Sequence, residues 1–187
     1  MRTLLFTALL FISSIFFAQV DTLGVEWQHD YHLKWSDFKG KEDKSQKLSA
    51  LSKISIPYTY SSDGEVDLTL NLSTVFVKDE SWYKKGKENN VLLGHEQLHF
   101  DIAEIHRRII VKTVLSTKFS AENYESELKQ LISKIWDEDY RKMQDQYDAE
   151  TNYARLFRSQ KEWMEIVAAK LIELKEFNDT EVTVTFQ

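Results

Sequence analysis

The chain contains no cysteine, a single proline and only five glycines in 187 residues. Without thiols it has no disulfides, no thiolate zinc site, no iron–sulfur cluster and no cysteine nucleophile. So little proline and glycine excludes collagen-like repeats and proline-rich linkers. A basic excess is missing too: 24 Lys and Arg stand against 30 Asp and Glu, for a net charge of -6. Phosphate backbones are bound by basic faces, so no nucleic-acid partner is expected. What remains is a composition of 42% hydrophobic, 29% charged and 13% aromatic residues, five of them Trp. That is the make-up of a folded domain rather than a disordered chain, and the length suits one domain plus a leader.

The leader is residues 1–18. Arg2 gives a short positive start, Leu4 to Phe17 form an apolar core interrupted by two Ser, and Ala18 is a small residue before Gln19. This pattern predicts a secretory signal peptide cut near Ala18–Gln19. The apolar run is short for a membrane span, and no later segment is apolar enough to cross a bilayer. The mature chain, 19–187, is therefore expected to be exported, periplasmic or extracellular, with no stable membrane insertion after cleavage.

The mature chain divides into a strand-like front and a helical back. Ile54, Ile56, Tyr58 and Tyr60 alternate along one run, and Val66, Leu68, Leu70 and Leu72 along the next. Ser61-Ser-Asp-Gly64 between them predicts a hairpin turn. Pro57 cannot donate to a ladder, so the first run is expected at a sheet edge or a bulge. Val75–Val77 is read as continuing the second strand after a kink. Long helices are expected over Glu88–Lys118, from Ser120 to about Tyr147, and over Thr151–Phe177, with a final strand over Thr180–Phe186. In the first helix Val91, Leu98, Ile102, Ile105 and Ile109 mark an apolar stripe.

Inside that helix stands His95-Glu96-Gln97-Leu98-His99, an H-E-x-x-H motif. Residues four apart differ by about 40° around a helix axis and about 6 Å along it, so both imidazoles can reach one ion. Zn²⁺ takes imidazole nitrogen readily and keeps an open position in catalytic sites. Glu96, beside the first ligand, is placed to act as the catalytic base on an activated water. A third ligand is needed. His106 lies about 10 Å beyond His99 along the helix and Glu104 faces the other way, so neither is expected to serve. The acidic candidates are Glu122, Glu125, Asp137, Glu138, Asp148 and Glu150, with His29 and His32 as more distant ones.

These residues resemble a bacterial family regarded as secreted zinc-dependent proteases, the domain of unknown function 922. The likeness spans about Leu33 to Trp163. It is strongest over Leu93-Gly-His-Glu-Gln-Leu-His-Phe-Asp-Ile-Ala-Glu104, and includes Leu33-Lys-Trp-Ser-Asp-Phe-Lys-Gly40, Ser81-Trp82, Tyr147-Asp-Ala-Glu-Thr151 and Gln160-Lys-Glu-Trp163. Similar members carry Y-D-x-x-T-x-H after the second helix. The final His of that pattern, an attractive metal ligand, is replaced here by Tyr153. The resemblance thus implies Tyr153 as third ligand, with Glu150 or Asp148 as alternatives, and phenol is a weaker ligand than imidazole near neutral pH.

The expectation is a single α+β domain, a small and mainly antiparallel sheet packed on three long helices, zincin-like. Its expected work is zinc-dependent hydrolysis of peptide bonds in a peptide or protein substrate. The alternative is a zinc-binding or interaction protein of the same fold with impaired catalysis.

Overall fold

A computed structural model describes residues 24–187. The expected signal peptide lies outside the described residues. The fold is mixed α+β, as expected, built from small antiparallel sheets and helices.

The strands are β1 (Gly24–Glu26), β2 (Ala50–Leu51), β3 (Ile54–Ser55), β4 (Tyr58–Ser62), β5 (Asp67–Leu72), β6 (Val75–Val77), β7 (Trp82–Tyr83) and β8 (Glu181–Thr185). They form three small sheets, ordered β1-β6-β3, β2-β7 and β4-β5-β8, rather than the one sheet expected. Pro57 is the physical reason for part of this. It separates β3 from β4 at a point where its missing N–H cannot continue a ladder, and the two halves enter different sheets. The second run is interrupted at Ser73 and Thr74, where Ser73 N–H donates to Pro57 O and Thr74 O accepts from Trp27 N–H, and Val75–Val77 joins β1 and β3 instead of extending β5.

The hairpin β4–β5 closes as expected, in register Tyr60↔Leu70. Asp63 Oδ1 accepts from the backbone N–H groups of Glu65, Val66 and Asp67. Gly64 takes φ +82, a conformation that disfavours a side chain. Leu68, Leu70 and Leu72 are buried, whereas Val66 belongs to the turn and is exposed. The final strand pairs with β5, Val182 opposite Leu70.

Helix α1 spans Asn90–Ser116, and Asn89 caps it by accepting from Leu92 N–H at 2.9 Å. It is the spine of the molecule. Phe100, Ile102, Ala103, Ile105, Ile110, Val111 and Val114 are all fully buried, so it is wrapped on several sides rather than along one stripe. Val91, expected on that stripe, is exposed. One cluster joins its C-terminal half to the β5 leucines, Leu128 and Ile132. A second sets Leu98, Ile102 and Ile105 against Tyr147, Trp163 and Val167.

Helix α2 (Tyr124–Ser133) passes into a π-helical stretch (Lys134–Tyr140) and on into α3 (Arg141–Thr151) without a break. The wider π turn stacks Trp136 on Tyr140 at 4.0 Å and 4°. Helix α4 runs Phe157–Glu173, starting after a left-handed turn rather than at Thr151. No helix among the described residues is long and apolar enough to cross a membrane.

Candidate metal centre

His95 and His99 lie on consecutive turns of α1, as their spacing requires, and α3 crosses them. His95 Nε2 stands 3.1 Å from His99 Nε2. Asp148 Oδ1, from α3, is 3.0 Å from the first and 3.2 Å from the second. These three are the group of His, Asp and Glu among the described residues that could hold a metal ion. Ligands about 2.0–2.1 Å from a tetrahedral ion are separated by about 3.3 Å, so the triangle has nearly the edge a zinc ion needs.

The tautomers support the same reading. His95 Nδ1 lies 3.1 Å from Gln160 Oε1, and His99 Nδ1 hydrogen-bonds to Gln144 Oε1. Gln144 is held the right way round by a carbonyl, its Nε2 donating to His99 O at 3.0 Å, while the Gln160 amide turns Oε1 to His95 and meets the Tyr147 hydroxyl through both its ends, Oε1 at 2.9 Å and Nε2 at 2.6 Å. An amide oxygen only accepts, so each Nδ1 carries the proton and each Nε2 turns a lone pair toward the other and toward a carboxylate. Three electron-rich atoms at this separation require a positive charge among them. A proton on His99 or a metal ion supplies it. Burial pushes His99 down, but the Asp148 hydrogen bond, the Glu96 and Asp148 charges and the Gln144 bond outweigh it, and its pKa is raised. Burial likewise pushes the Asp148 carboxyl up, and the bonds and charges of both histidines overrule it, holding it well below the usual carboxylate range.

Tyr147 is the floor of the site. Its ring stacks on His95 at 4.5 Å and 24°, and meets His99 edge-on at 5.0 Å. Burial raises its pKa, so it stays a neutral phenol, donating to His95 O at 3.3 Å. Glu96 is buried, and Ser52 Oγ donates to its Oε2 at 2.7 Å, which leaves Oε1 for another partner. Ser52 adjoins β2, which has β7 on one side only. A cleft of about 520 Å³ opens here, bordered by residues 47–52, His95, Glu96, His99, Asp148 and Tyr153.

The other residues singled out from sequence are distributed as follows. Asp148, one of two alternatives for the third ligand, meets the histidine pair. Glu150 faces away, accepting from Trp163 Nε1 and Gln146 Nε2 at 2.8 Å each. Tyr153 stands on the cleft wall. Glu125, Asp137 and Glu138 form surface pairs with Lys129, Arg141 and Lys134. His29 and His32 line a separate cavity of about 450 Å³ beside Trp27 and Met164. His106 stands apart from the metal group, as its distance along the helix implies. It is buried, bonded through Nδ1 to Ile102 O at 2.8 Å and edge-on to Tyr140. Gln144, Gln160 and Ser52 were not foreseen, because single amides and a lone hydroxyl carry no spacing signal.

Asp148 is followed by an unusual helix end. Asn152 N–H bonds to Ala149 O, and Tyr153 N–H to Asp148 O at 3.0 Å, the paired bonds of a Schellman cap. Asn152, Tyr153 and Ala154 all take positive φ, at a cost of about 1–3 kcal/mol for each residue that lacks glycine's freedom.

The centre spans two crossing helices and the turn beyond them, and this is the part of the chain with a known counterpart. Residues 80–154 match the bacterial family of unknown function DUF922. No curated protein and no solved structure matches the chain. The DUF922 segment is shorter than the Leu33–Trp163 span expected from resemblance. It nevertheless contains His95, Glu96, His99, Gln144, Tyr147, Asp148 and Tyr153, while Ser52 and Gln160 come from outside it.

Proposed function

We propose that this chain is an exported zinc metallopeptidase whose ion is held by His95, His99 and Asp148. The observation that carries this is the convergence of two Nε2 lone pairs and one carboxylate oxygen at 3.0–3.2 Å, with buried Glu96 next in sequence. Two imidazoles and one carboxylate beside a cleft are a donor set that would suit a catalytic zinc ion. Zinc bound there supplies Lewis acidity, which polarises a carbonyl and makes water a nucleophile near neutral pH. Glu96 takes a proton from the attacking water and returns it to the leaving amine. Ser52 fixes which carboxylate oxygen is free to do so. The lone edge of β2 along the cleft favours an extended peptide, whose backbone would pair with it.

A retained general base distinguishes this reading from a purely structural metal site, which has no use for one. The test is hydrolysis of a mixed fluorogenic peptide library by zinc-loaded protein. Wild type is expected to cleave, and Glu96→Gln to keep its zinc and lose at least about 100-fold in rate. Equal rates for the two proteins, or none for either at full zinc occupancy, would contradict the proposal.

A further inference from the structure

Among the described residues, the positive-φ residues other than glycine are consecutive: Asn152 (φ 47), Tyr153 (φ 54) and Ala154 (φ 66). Helix capping accounts for the first, since asparagine is tolerated at that position. Nothing in the cap requires the next two. A tyrosine there brings Cβ against the following carbonyl, and such outliers persist where surrounding bonds over-determine them. Two bonds span them here, from Leu156 N–H to Thr151 O at 2.9 Å and from Arg155 N–H to Asn152 O at 3.3 Å, while Tyr153 N–H itself donates to Asp148 O at 3.0 Å within the cap. The turn therefore couples the position of Tyr153 to the backbone of Asp148.

The strain does not serve packing. Tyr147 is fully buried, whereas Tyr153 is 46% exposed on the wall of the cleft that holds His95, Glu96, His99 and Asp148. With a carboxylate already meeting the histidines, a phenol is not needed on the metal. We infer that the Tyr153 hydroxyl donates a hydrogen bond to the scissile carbonyl oxygen as negative charge grows on it, which makes Tyr153 a catalytic residue beside Glu96. The inference rests on the peptidase reading of the same cleft. The phenol keeps its proton throughout, and proton transfer stays with Glu96. Its contribution is a neutral donor on the cleft wall, realised in the transition state and not in the bound substrate.

The experiment compares zinc-loaded wild type with Tyr153→Phe, and Tyr153→Gly with Tyr153→Ala. Tyr153→Phe is expected to retain one zinc per chain, to keep KM within about twofold and to lower kcat by about 10- to 100-fold. It should weaken a phosphinic peptide, whose tetrahedral oxygens mimic the transition state, by a similar factor, and leave the affinity for product peptide unchanged. Tyr153→Gly should melt about 2 °C above Tyr153→Ala, the reverse of the order at an ordinary position. Unchanged kcat in Tyr153→Phe overturns the inference and leaves the peptidase reading standing. Loss of zinc in that variant makes Tyr153 a ligand and overturns it too, as does an alanine variant that melts above the glycine variant. A zinc-loaded wild type that cleaves nothing removes the peptidase reading, and this inference with it.

Discussion

At the scale of single residues, the proposed centre depends on two neutral amides as much as on His95, His99 and Asp148. Gln160 and Gln144 accept from the Nδ1 atoms and so direct both Nε2 lone pairs at one point. Outer partners of this kind are worth about 10- to 100-fold in metal affinity. Gln160→Leu is therefore expected to weaken zinc by about that factor in a competition titration against a chromophoric chelator, and Gln160→Glu, which keeps an acceptor, to weaken it less. Equal affinity in all three proteins would show that the tautomer is set elsewhere. His95, Glu96 and His99 were legible from sequence because helical spacing alone brings them together. Asp148 was legible from the residues as one acid among several, and from the resemblance as one of two alternatives to Tyr153. Its approach depends on where α3 crosses α1, and no local pattern records a crossing. The amides left no trace at all, since a glutamine looks the same in sequence whether it orients a ligand or faces water.

At the scale of elements, α1 is held by charge and by shape. His106 is buried between Ile102 O and the Tyr140 ring, and burial lowers its pKa. A histidine whose folded pKa is lowered takes up protons more readily when unfolded. The stability this preserves is complete above the unfolded value, about 6.5, and is lost as pH falls from there through the folded value. His106→Gln cannot titrate, so its melting temperature is expected to fall less than wild type's between pH 7.5 and pH 5. An equal fall would place the acid sensitivity in other groups. The helix end at Asn152 gives a second expectation. Asn152→Gly relieves the left-handed strain at the cap, and should raise the melting temperature by about 1–3 °C. Pro57 marked an irregularity in the first run, an edge or a bulge, but not its division into β3 and β4, whereas the alternation of Leu68, Leu70 and Leu72 fixed a face of β5 in advance. The division into three sheets was not legible, because strand partners such as Val25 and Phe76 are 51 residues apart and nothing local encodes their pairing.

At the scale of the molecule, a buried ionic cluster joins the spine to the last segment of the chain. Glu104 receives Arg107, Arg108 and the Thr74 hydroxyl, all within 2.9 Å. Arg107 also donates to the carbonyls of Asp179 and Asn178, at 2.9 and 3.1 Å. Removing one partner of such a cluster leaves buried charge uncompensated, which costs about 3–5 kcal/mol. Glu104→Ala is accordingly expected to lose about that much in urea denaturation, and a loss below about 1 kcal/mol would show that water reaches the arginines. The cluster lies two helical turns beyond His99, so the same helix that carries His95 and His99 is anchored where it meets the C-terminal strand.

The central claim is that His95, His99 and Asp148 together hold one zinc ion while Glu96 does not. Its most direct test is zinc per chain after dialysis, measured side by side for wild type and for His95→Ala, His99→Ala, Asp148→Ala and Glu96→Gln, each checked for folding by circular dichroism. Wild type and Glu96→Gln should carry about one zinc, and the other three should lose most of it, because a site with two protein ligands binds weakly. Full zinc in a folded Asp148→Ala protein, or loss of zinc in Glu96→Gln equal to that in His95→Ala, would contradict the account.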